Sequence, residues 1–148
     1  MPASESPILF QCGSARLARR DLIRFTETLQ YEVARGRRFC CLLTRDAELQ
    51  RLNRDFLGKD HPTDVLSFPS GARDGFLGEM AISVDRAREQ AADHGHGLDE
   101  EIRILMLHGV LHLLGMDHRV DRGRMARAEN RWRKQFDLPS GLIERARL

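Results

Sequence analysis

Cysteine is scarce in this chain, and the spacing of the few cysteines excludes two classes of protein. Cys12, Cys40 and Cys41 are odd in number and show no C-x-x-C spacing. Two of them are neighbours, which would point to opposite faces of a strand. A disulfide framework and a zinc ribbon are therefore excluded, and we expect reduced thiols in the core.

Long apolar runs are also missing. No run approaches the roughly 20 residues that cross a bilayer, which argues against a membrane-spanning protein. The first residues, MPASESPILFQCG, contain neither a basic leader nor a long apolar segment, so they are not typical of a secretion signal. We therefore expect a cytoplasmic protein with no membrane partner.

Lysine is nearly absent, since the chain has two lysines against 22 arginines and a formal net charge of only +2. Arginine suits planar, bidentate contacts to phosphate groups. A compositional bias of the genome explains the same excess equally well. The charge balance alone therefore leaves a nucleic-acid partner open.

The apolar pattern predicts helices mixed with short strands in one domain, 1–148, because the chain has no repeats or linker-like stretch. We predict helices over 17–33, 44–56, 85–93, 99–114 and 121–136, with Thr44, Asp85 and Asp99 as N-caps. Strands are predicted over 39–43, 63–68 and 79–84. Without regular βαβ alternation, the fold class is α+β, or a mixed α/β sandwich: a small mixed β-sheet packed with helices.

The segment HGVLHLLGMDH, 108–118, concentrates three histidines in an otherwise apolar stretch. His108 and His112 are one helical turn apart, so their rings share a face. Gly115 can adopt the left-handed conformation that ends the helix, which lets the chain return His118 toward the same point. Three nitrogens with one open position are typical of a catalytic zinc site.

Histidines in an apolar helix do not always bind metal. A single histidine there is more often a hydrogen-bonded core residue, but three at this spacing favour a metal site on the helix and the turn after it. Asp117 either orients an imidazole or is a turn residue. The spacing also fits metzincin peptidases, but those carry a glutamate base directly after the first histidine. Gly109 stands there, so a peptidase is disfavoured.

At this point the sequence resembles the YbeY family, bacterial metal-dependent endoribonucleases of rRNA maturation. HGVLHLLGMDH is similar to the family pattern H-G-x-L-H-L-x-G-x-D-H, LNRDFLGKDHPTDVLSFP at 52–69 to its second block, and LGEMAIS at 77–83 to its third. The family's fold, a small mixed sheet packed with helices, agrees with the predicted class.

The resemblance implies that His108, His112 and His118 hold one Zn²⁺ with an open fourth position, although Ni²⁺ or another divalent transition metal also suits three imidazoles. It implies that the substrate is single-stranded rRNA and that the protein processes the 3′ end of 16S rRNA. It also implies an association with the small ribosomal subunit and no DNA partner. Cationic contacts to the RNA backbone are expected from the basic segment 121–136 and from Lys59, Arg54, Arg119 and Arg122.

Three positions depart from the family pattern. Leu57 stands where an arginine usually precedes the Gly-Lys pair, so either Arg54 or Arg73 reaches the active groove instead, or nuclease activity is weaker. Glu79 replaces a common aspartate and keeps the carboxylate. Met116 replaces a usual aromatic residue beside His118.

Four acidic or hydroxyl residues are the remaining catalytic candidates: Asp64, Ser67, Glu79 and Asp117. The family places Asp64 and Ser67 beside the metal pocket, where they bind substrate or orient water, but both also suit ordinary hydrogen bonding at a strand end. Glu79 is the candidate general base, or a solvated carboxylate at a strand start. We expect the other histidines, His61, His94 and His96, at the surface, with a second metal site at the last two as a minor alternative.

Two other functions compete with the endoribonuclease. A ribosome-associated assembly factor with a mainly structural metal is favoured by Leu57. A metal hydrolase of amides or small phosphoesters is the second alternative.

Overall fold

A computed structural model describes residues 6–13, 15–71 and 73–146, with the side chain of Arg73 left out. The strands are β1 Ile8–Phe10, β2 Arg38–Thr44, β3 Val65–Pro69 and β4 Phe76–Ser83. The helices are α1 Arg19–Thr28, which continues as a π-helical turn Leu29–Val33, then α2 Asp46–Leu57, α3 Val84–His94, α4 Leu98–Leu113, α5 Arg124–Gln135 and α6 Leu142–Ala146. A 3₁₀ turn, Arg73–Gly75, precedes β4.

The four strands form one mixed sheet in the order β1-β2-β4-β3. β1 pairs with β2 and β2 with β4 in parallel, whereas β3 pairs with β4 antiparallel. This arrangement confirms the predicted α+β class with a small mixed sheet. It also leaves β3 at an edge of the described sheet.

Helices cover both faces of the sheet, and strand alternation divides the apolar residues between them. On one face, Ile82 of β4 belongs to the main core together with Ile102 and Leu105 of α4. On the other face, Ala81 packs with Leu49 of α2 and Leu66 of β3 in a smaller cluster. From Ile104 to Leu113, α4 is almost entirely buried, which explains why this part of its sequence is apolar on nearly every side.

The predicted N-caps are wrong, because tertiary contacts use those residues elsewhere. Thr44 remains in β2, and Ser83 caps α3 by accepting the amide N–H of Arg86 at 3.1 Å. The carboxylate of Asp85 instead accepts the amide of Asp46 at the start of α2, at 2.9 Å. Asp99 accepts the amide of Ala18 before α1, at 3.2 Å, while Gly97 precedes α4.

Other differences concern short elements. β1 and α6, with three and five residues, were not predicted because segments this short carry almost no periodicity. β4 starts three residues before its predicted beginning at position 79. Cys12 and Cys41 are buried as expected, but Cys40 is exposed because it occupies the alternate face of β2.

Within the described ranges, no helix has the length and apolar character needed to cross a membrane.

Gly78 allows α4 and the β3–β4 hairpin to approach closely. Its φ of +142° lies in a region that favours glycine. A Cβ atom there would overlap the carbonyl oxygen of Phe68 and lie 3.1 Å from Cδ2 of Leu113.

We expect Gly78→Ala to lower the free energy of unfolding by about 2 kcal/mol or more, because backbone strain and steric overlap act together. Urea denaturation measures the loss. The matched control is Gly97→Ala, whose Cβ meets only Glu100 at an ordinary 3.6 Å and which should cost about 1 kcal/mol or less. Equal losses in the two variants would contradict this explanation.

Candidate metal centre

The three predicted ligands meet at the carboxyl end of α4. His108 and His112 lie one turn apart on that helix, and the chain reverses at Gly115, whose φ is +92°. The amide of Met116 then donates to the carbonyl of Leu111 at 3.1 Å, and the return segment carries His118 to the other two rings. The ligating nitrogens of the three imidazoles all lie within 4.8 Å of one another.

Hydrogen bonds orient two of these rings. Nδ1 of His112 lies 2.9 Å from the carbonyl oxygen of Met116, and Nδ1 of His108 lies 2.7 Å from Oε2 of Glu129. A carbonyl or carboxylate oxygen only accepts, so each neutral ring donates from Nδ1 and keeps a lone pair on Nε2. The two Nε2 atoms face each other at 3.2 Å.

This donor set fits a divalent transition metal. The Nε2 atoms of His108 and His112 are 3.2 Å apart, and their lone pairs repel each other. A cation bound between them would accept both lone pairs and remove this repulsion. Nitrogens bound tetrahedrally to zinc at about 2.0–2.1 Å lie roughly 3.3 Å apart, close to the observed separation. Neutral imidazoles suit zinc, nickel, copper or cobalt, whereas magnesium and calcium prefer oxygen.

The protonation state of His112 favours metal binding. Burial, followed by the proximity of His108, lowers the pKa of His112 below its ordinary value. The neutral ring therefore persists at neutral pH, and protons compete weakly with a metal ion for its Nε2.

Glu129 is a site residue that the sequence patterns did not single out. It lies on α5, is buried, and supplies the carboxylate that orients His108. Asp117, predicted as a possible partner of an imidazole, instead receives hydrogen bonds from Arg119. The sequence did contain a signal for Glu129. This charged residue falls on the apolar face of α5 with Met125, Ala128 and Trp132, where a carboxylate is buried and needs a partner.

The histidines line an open cleft of about 520 Å³ between α4 and the edge strand β3. Asp64, Ser67, Asp117 and Arg119 line the same cleft, as does Leu57 from the end of α2. The structure therefore brings three of the four catalytic candidates to the histidines. The side chain of Leu57 is 52% exposed, so a ligand in the cleft can touch it.

Each of the three cleft residues already has a protein partner. Ser67 donates its hydroxyl to the carbonyl of Gly109 at 3.2 Å, and Asp64 accepts from the side-chain amide of Gln90 at 3.2 Å. Asp117 accepts from the guanidinium of Arg119 at 3.1 Å, and these hydrogen bonds lower the pKa of Asp117. All three are therefore held in place at the cleft wall.

Glu79 is not brought to the histidines. It alternates along β4 with Met80, whose side chain packs under α4, so the carboxylate of Glu79 lies on the opposite face of the sheet. There it lines a separate apolar cavity with Phe56 and Phe68. Its placement gives no support to the predicted role as general base.

Gly109 packs against the sheet, which explains the missing side chain after the first histidine. A Cβ at this position would lie 2.8 Å from Sδ of Met80 and 3.4 Å from Oγ of Ser67. A glutamate base of the peptidase kind would therefore have to displace the side chain of Met80.

The predicted RNA-binding cations are spread over the surface. Arg119 lines the cleft, whereas Arg122 lines a separate cavity between α5 and α6. Arg54 forms an ion pair with Asp55 at 3.2 Å, and Lys59 lies exposed after α2. The side chain of Arg73 lies outside the described residues.

The other histidines do not form a second metal site in the described part of the chain. His61 and His94 are exposed as expected. His96 differs from the expectation, because only 8% of its side chain is exposed and its ring contacts the buried carboxylate of Glu101.

We expect His112→Ala to abolish tight metal binding, because it removes one of two preformed Nε2 donors. Elemental analysis and chelator competition on untagged protein measure the loss, and circular dichroism checks the fold. The control is His94→Ala, an exposed histidine on α3, which should bind metal as the parent chain does. Unchanged metal content in His112→Ala would place the metal elsewhere.

Comparisons with known proteins found a matching family and similar sequences. The family model for Endoribonuclease YbeY matches residues 15–137. The protein named "Endoribonuclease YbeY" from Solibacter usitatus is 59% identical over 140 residues, 95% of this chain and 94% of its own. Its namesake from Koribacter versatilis is 56% identical over 104 residues, 70% of this chain and 68% of its own.

A solved structure extends the likeness to the fold. The solution structure of a Thermotoga maritima protein superposes with a TM-score of 0.59 at 26% identity and covers 84% of this chain and 85% of its own. The family match spans all three histidines and the cleft residues of β3. The chain belongs to the Endoribonuclease YbeY family.

Proposed function

We propose that this protein is a metal-dependent endoribonuclease that cleaves single-stranded regions of rRNA precursors. The observation that carries the proposal is the group of three imidazoles at an open cleft, with lone pairs facing one another. Its curated relatives bear the name endoribonuclease, which supports an RNA substrate. We propose Zn²⁺ as the metal, with Ni²⁺ or another divalent transition metal as an alternative.

His108, His112 and His118 would hold the ion, with Glu129 and Met116 fixing the tautomers of the first two. The bound metal supplies Lewis-acid activation of water and stabilises charge on a phosphoryl oxygen. No other ligand is contributed by the described groups, so the cleft side stays open to substrate.

Three cleft residues position the substrate in this proposal. The hydroxyl of Ser67 donates to Gly109, which leaves its lone pairs to accept from a ribose hydroxyl or a water. Asp64 lies directly before β3, and its carboxylate keeps lone pairs that can also accept from a ribose hydroxyl or a water. Asp117 acts indirectly, because it holds the guanidinium of Arg119 at the cleft rim.

Phosphate neutralisation dominates binding of single-stranded RNA, so cations must flank the cleft. Arg119 lines the cleft, which supports a contact of this kind. Arg54 and Lys59 near the end of α2, and Arg122 before α5, would bind phosphates farther along the strand. We propose that the whole chain, 1–148, acts as one domain in the cytoplasm, processing the 3′ end of 16S rRNA beside the small ribosomal subunit.

We expect the metal-loaded protein to cut unpaired RNA and to leave duplex RNA and peptide intact. Cleavage should disappear when a chelator removes the metal. In His112→Ala the cleavage rate should fall by more than 10- to 100-fold, which is the loss typical when only a hydrogen bond to a metal ligand is removed. Gel analysis of end-labelled oligonucleotides measures the rates, with His94→Ala as control. Cleavage that persists in His112→Ala would mean a contaminating nuclease, and peptide cleavage would favour an amide hydrolase.

A second candidate function is a ribosome assembly factor whose metal is mainly structural. Leu57 favours it, because an uncharged side chain occupies the cleft wall where the family pattern has an arginine. Ribosome binding without any RNA cleavage would support this candidate.

We expect Leu57→Arg to tighten binding of single-stranded RNA, because a guanidinium at this exposed position reaches phosphates in the cleft. In a plot of the logarithm of the affinity against the logarithm of the salt concentration, the negative slope should steepen by about 0.7 for one added phosphate contact. Fluorescence anisotropy across a salt series measures the slope. The control is Tyr31→Arg, which adds the same charge at an exposed position outside the cleft, and an equal change there would contradict a local contact.

A further inference from the structure

We infer that α6 positions the metal centre, because it fixes the carboxylate of Glu129 that in turn fixes the ring of His108. The inference rests on the metal site of the proposed function and is independent of the RNA substrate. α6 lies beyond residues 15–137, where the family model matches, so no motif assigns it a role.

Glu129 connects the two elements through its two oxygens. Oε2 accepts from Nδ1 of His108 at 2.7 Å, and Oε1 accepts from the backbone amide of Ile143 in α6 at 3.0 Å. Only 2% of Glu129 is exposed, so water cannot replace either bond while the fold is intact. Loss of the Ile143 amide would leave a buried carboxylate oxygen without its partner, which favours a different rotamer.

The chain entering α6 confines this carboxylate. Gly141 passes so close to Glu129 that a Cβ there would overlap the carboxyl group. Leu142, Ile143 and Ala146 also enclose a cavity of about 300 Å³ together with His108 and His118. α6 therefore lies beside the rings of His108 and His118, and its first residue, Leu142, also lines the substrate cleft.

A second contact anchors α6 to the helix that carries the ligands. The guanidinium of Arg145 donates through both terminal nitrogens to the carboxylate of Glu101, each at 2.8 Å. Glu101 and His108 are seven residues apart on α4, so they lie on one helical face. The side chain of Glu101 is fully buried, and such a bidentate pair fixes orientation as well as position.

Metal affinity and docking of α6 must consequently be coupled. Outer hydrogen bonds to a metal-binding histidine typically contribute 10- to 100-fold to metal affinity. By linkage, a metal ion that binds more tightly when α6 is docked also strengthens the docking by the same factor.

The decisive variant is Ile143→Pro, which removes the amide that Glu129 accepts. Ile143 is the second residue of α6, within the first turn, where proline is best tolerated. The matched control is Ile143→Ala, which also shortens the side chain but retains the N–H. We expect Ile143→Pro to weaken metal binding by about 10- to 100-fold, whereas Ile143→Ala stays within a few-fold of the parent.

Chelator competition with Zn²⁺ measures the affinities, and the visible absorption spectrum of the Co²⁺-loaded protein reports the ligand geometry. A merely structural role of α6 would change stability without altering that spectrum. Equal metal affinities and equal spectra for folded Ile143→Pro and Ile143→Ala would overturn the inference.

Amide hydrogen exchange on the unaltered chain gives a test that does not depend on any variant folding. We expect metal to slow exchange across 142–146 relative to the metal-free protein. Exchange that is unaffected by bound metal would overturn the coupling. If the unaltered chain binds no metal at all, both the proposed function and this inference fail. If it binds metal but exchange across 142–146 does not change, only this inference fails.

Discussion

The site depends on one constraint, which is that a neutral imidazole carries its proton on only one of its two nitrogens. A hydrogen bond from that nitrogen to a protein oxygen fixes the tautomer and leaves the lone pair of the other nitrogen for a metal ion. His108 meets it through the buried carboxylate of Glu129, and His112 through the carbonyl of Met116. Both acceptors engage Nδ1, so in each ring the Nε2 lone pair is left for a metal ion. The turn at Gly115 contributes to the same site. The short segment after it supplies both the carbonyl of Met116, which accepts from His112, and the third ring, His118.

The edge strand β3 determines which side chains can reach a bound substrate. Consecutive residues of a strand point to opposite faces, so Ser67 lines the cleft while Phe68 lines the cavity across the sheet. The antiparallel register sets Glu79 opposite Phe68 and therefore on that far side. A shift of one residue in this register would exchange the two sets. Strand pairing thus selects the polar groups of the cleft.

The cleft wall carries few charged side chains beside the three histidines. Asp117 and Arg119 neutralise each other in part, Leu57 adds no charge, and Asp64 adds a carboxylate. Phosphate binding in the proposed function therefore depends on the metal and on cations farther out, such as Lys59 and Arg122.

The sequence alone determined the α+β class, most long helices and the three histidines, because helical periodicity and the His-Gly-His spacing are local properties of the chain. It did not determine the caps, since Asp85 and Asp99 bond amides of other helices. The tertiary structure alone placed Glu129 against His108, set Glu79 on the opposite face of the sheet and brought α6 beside His108 and His118. Those outcomes depend on strand register and helix packing between residues distant in the chain, which no local pattern records.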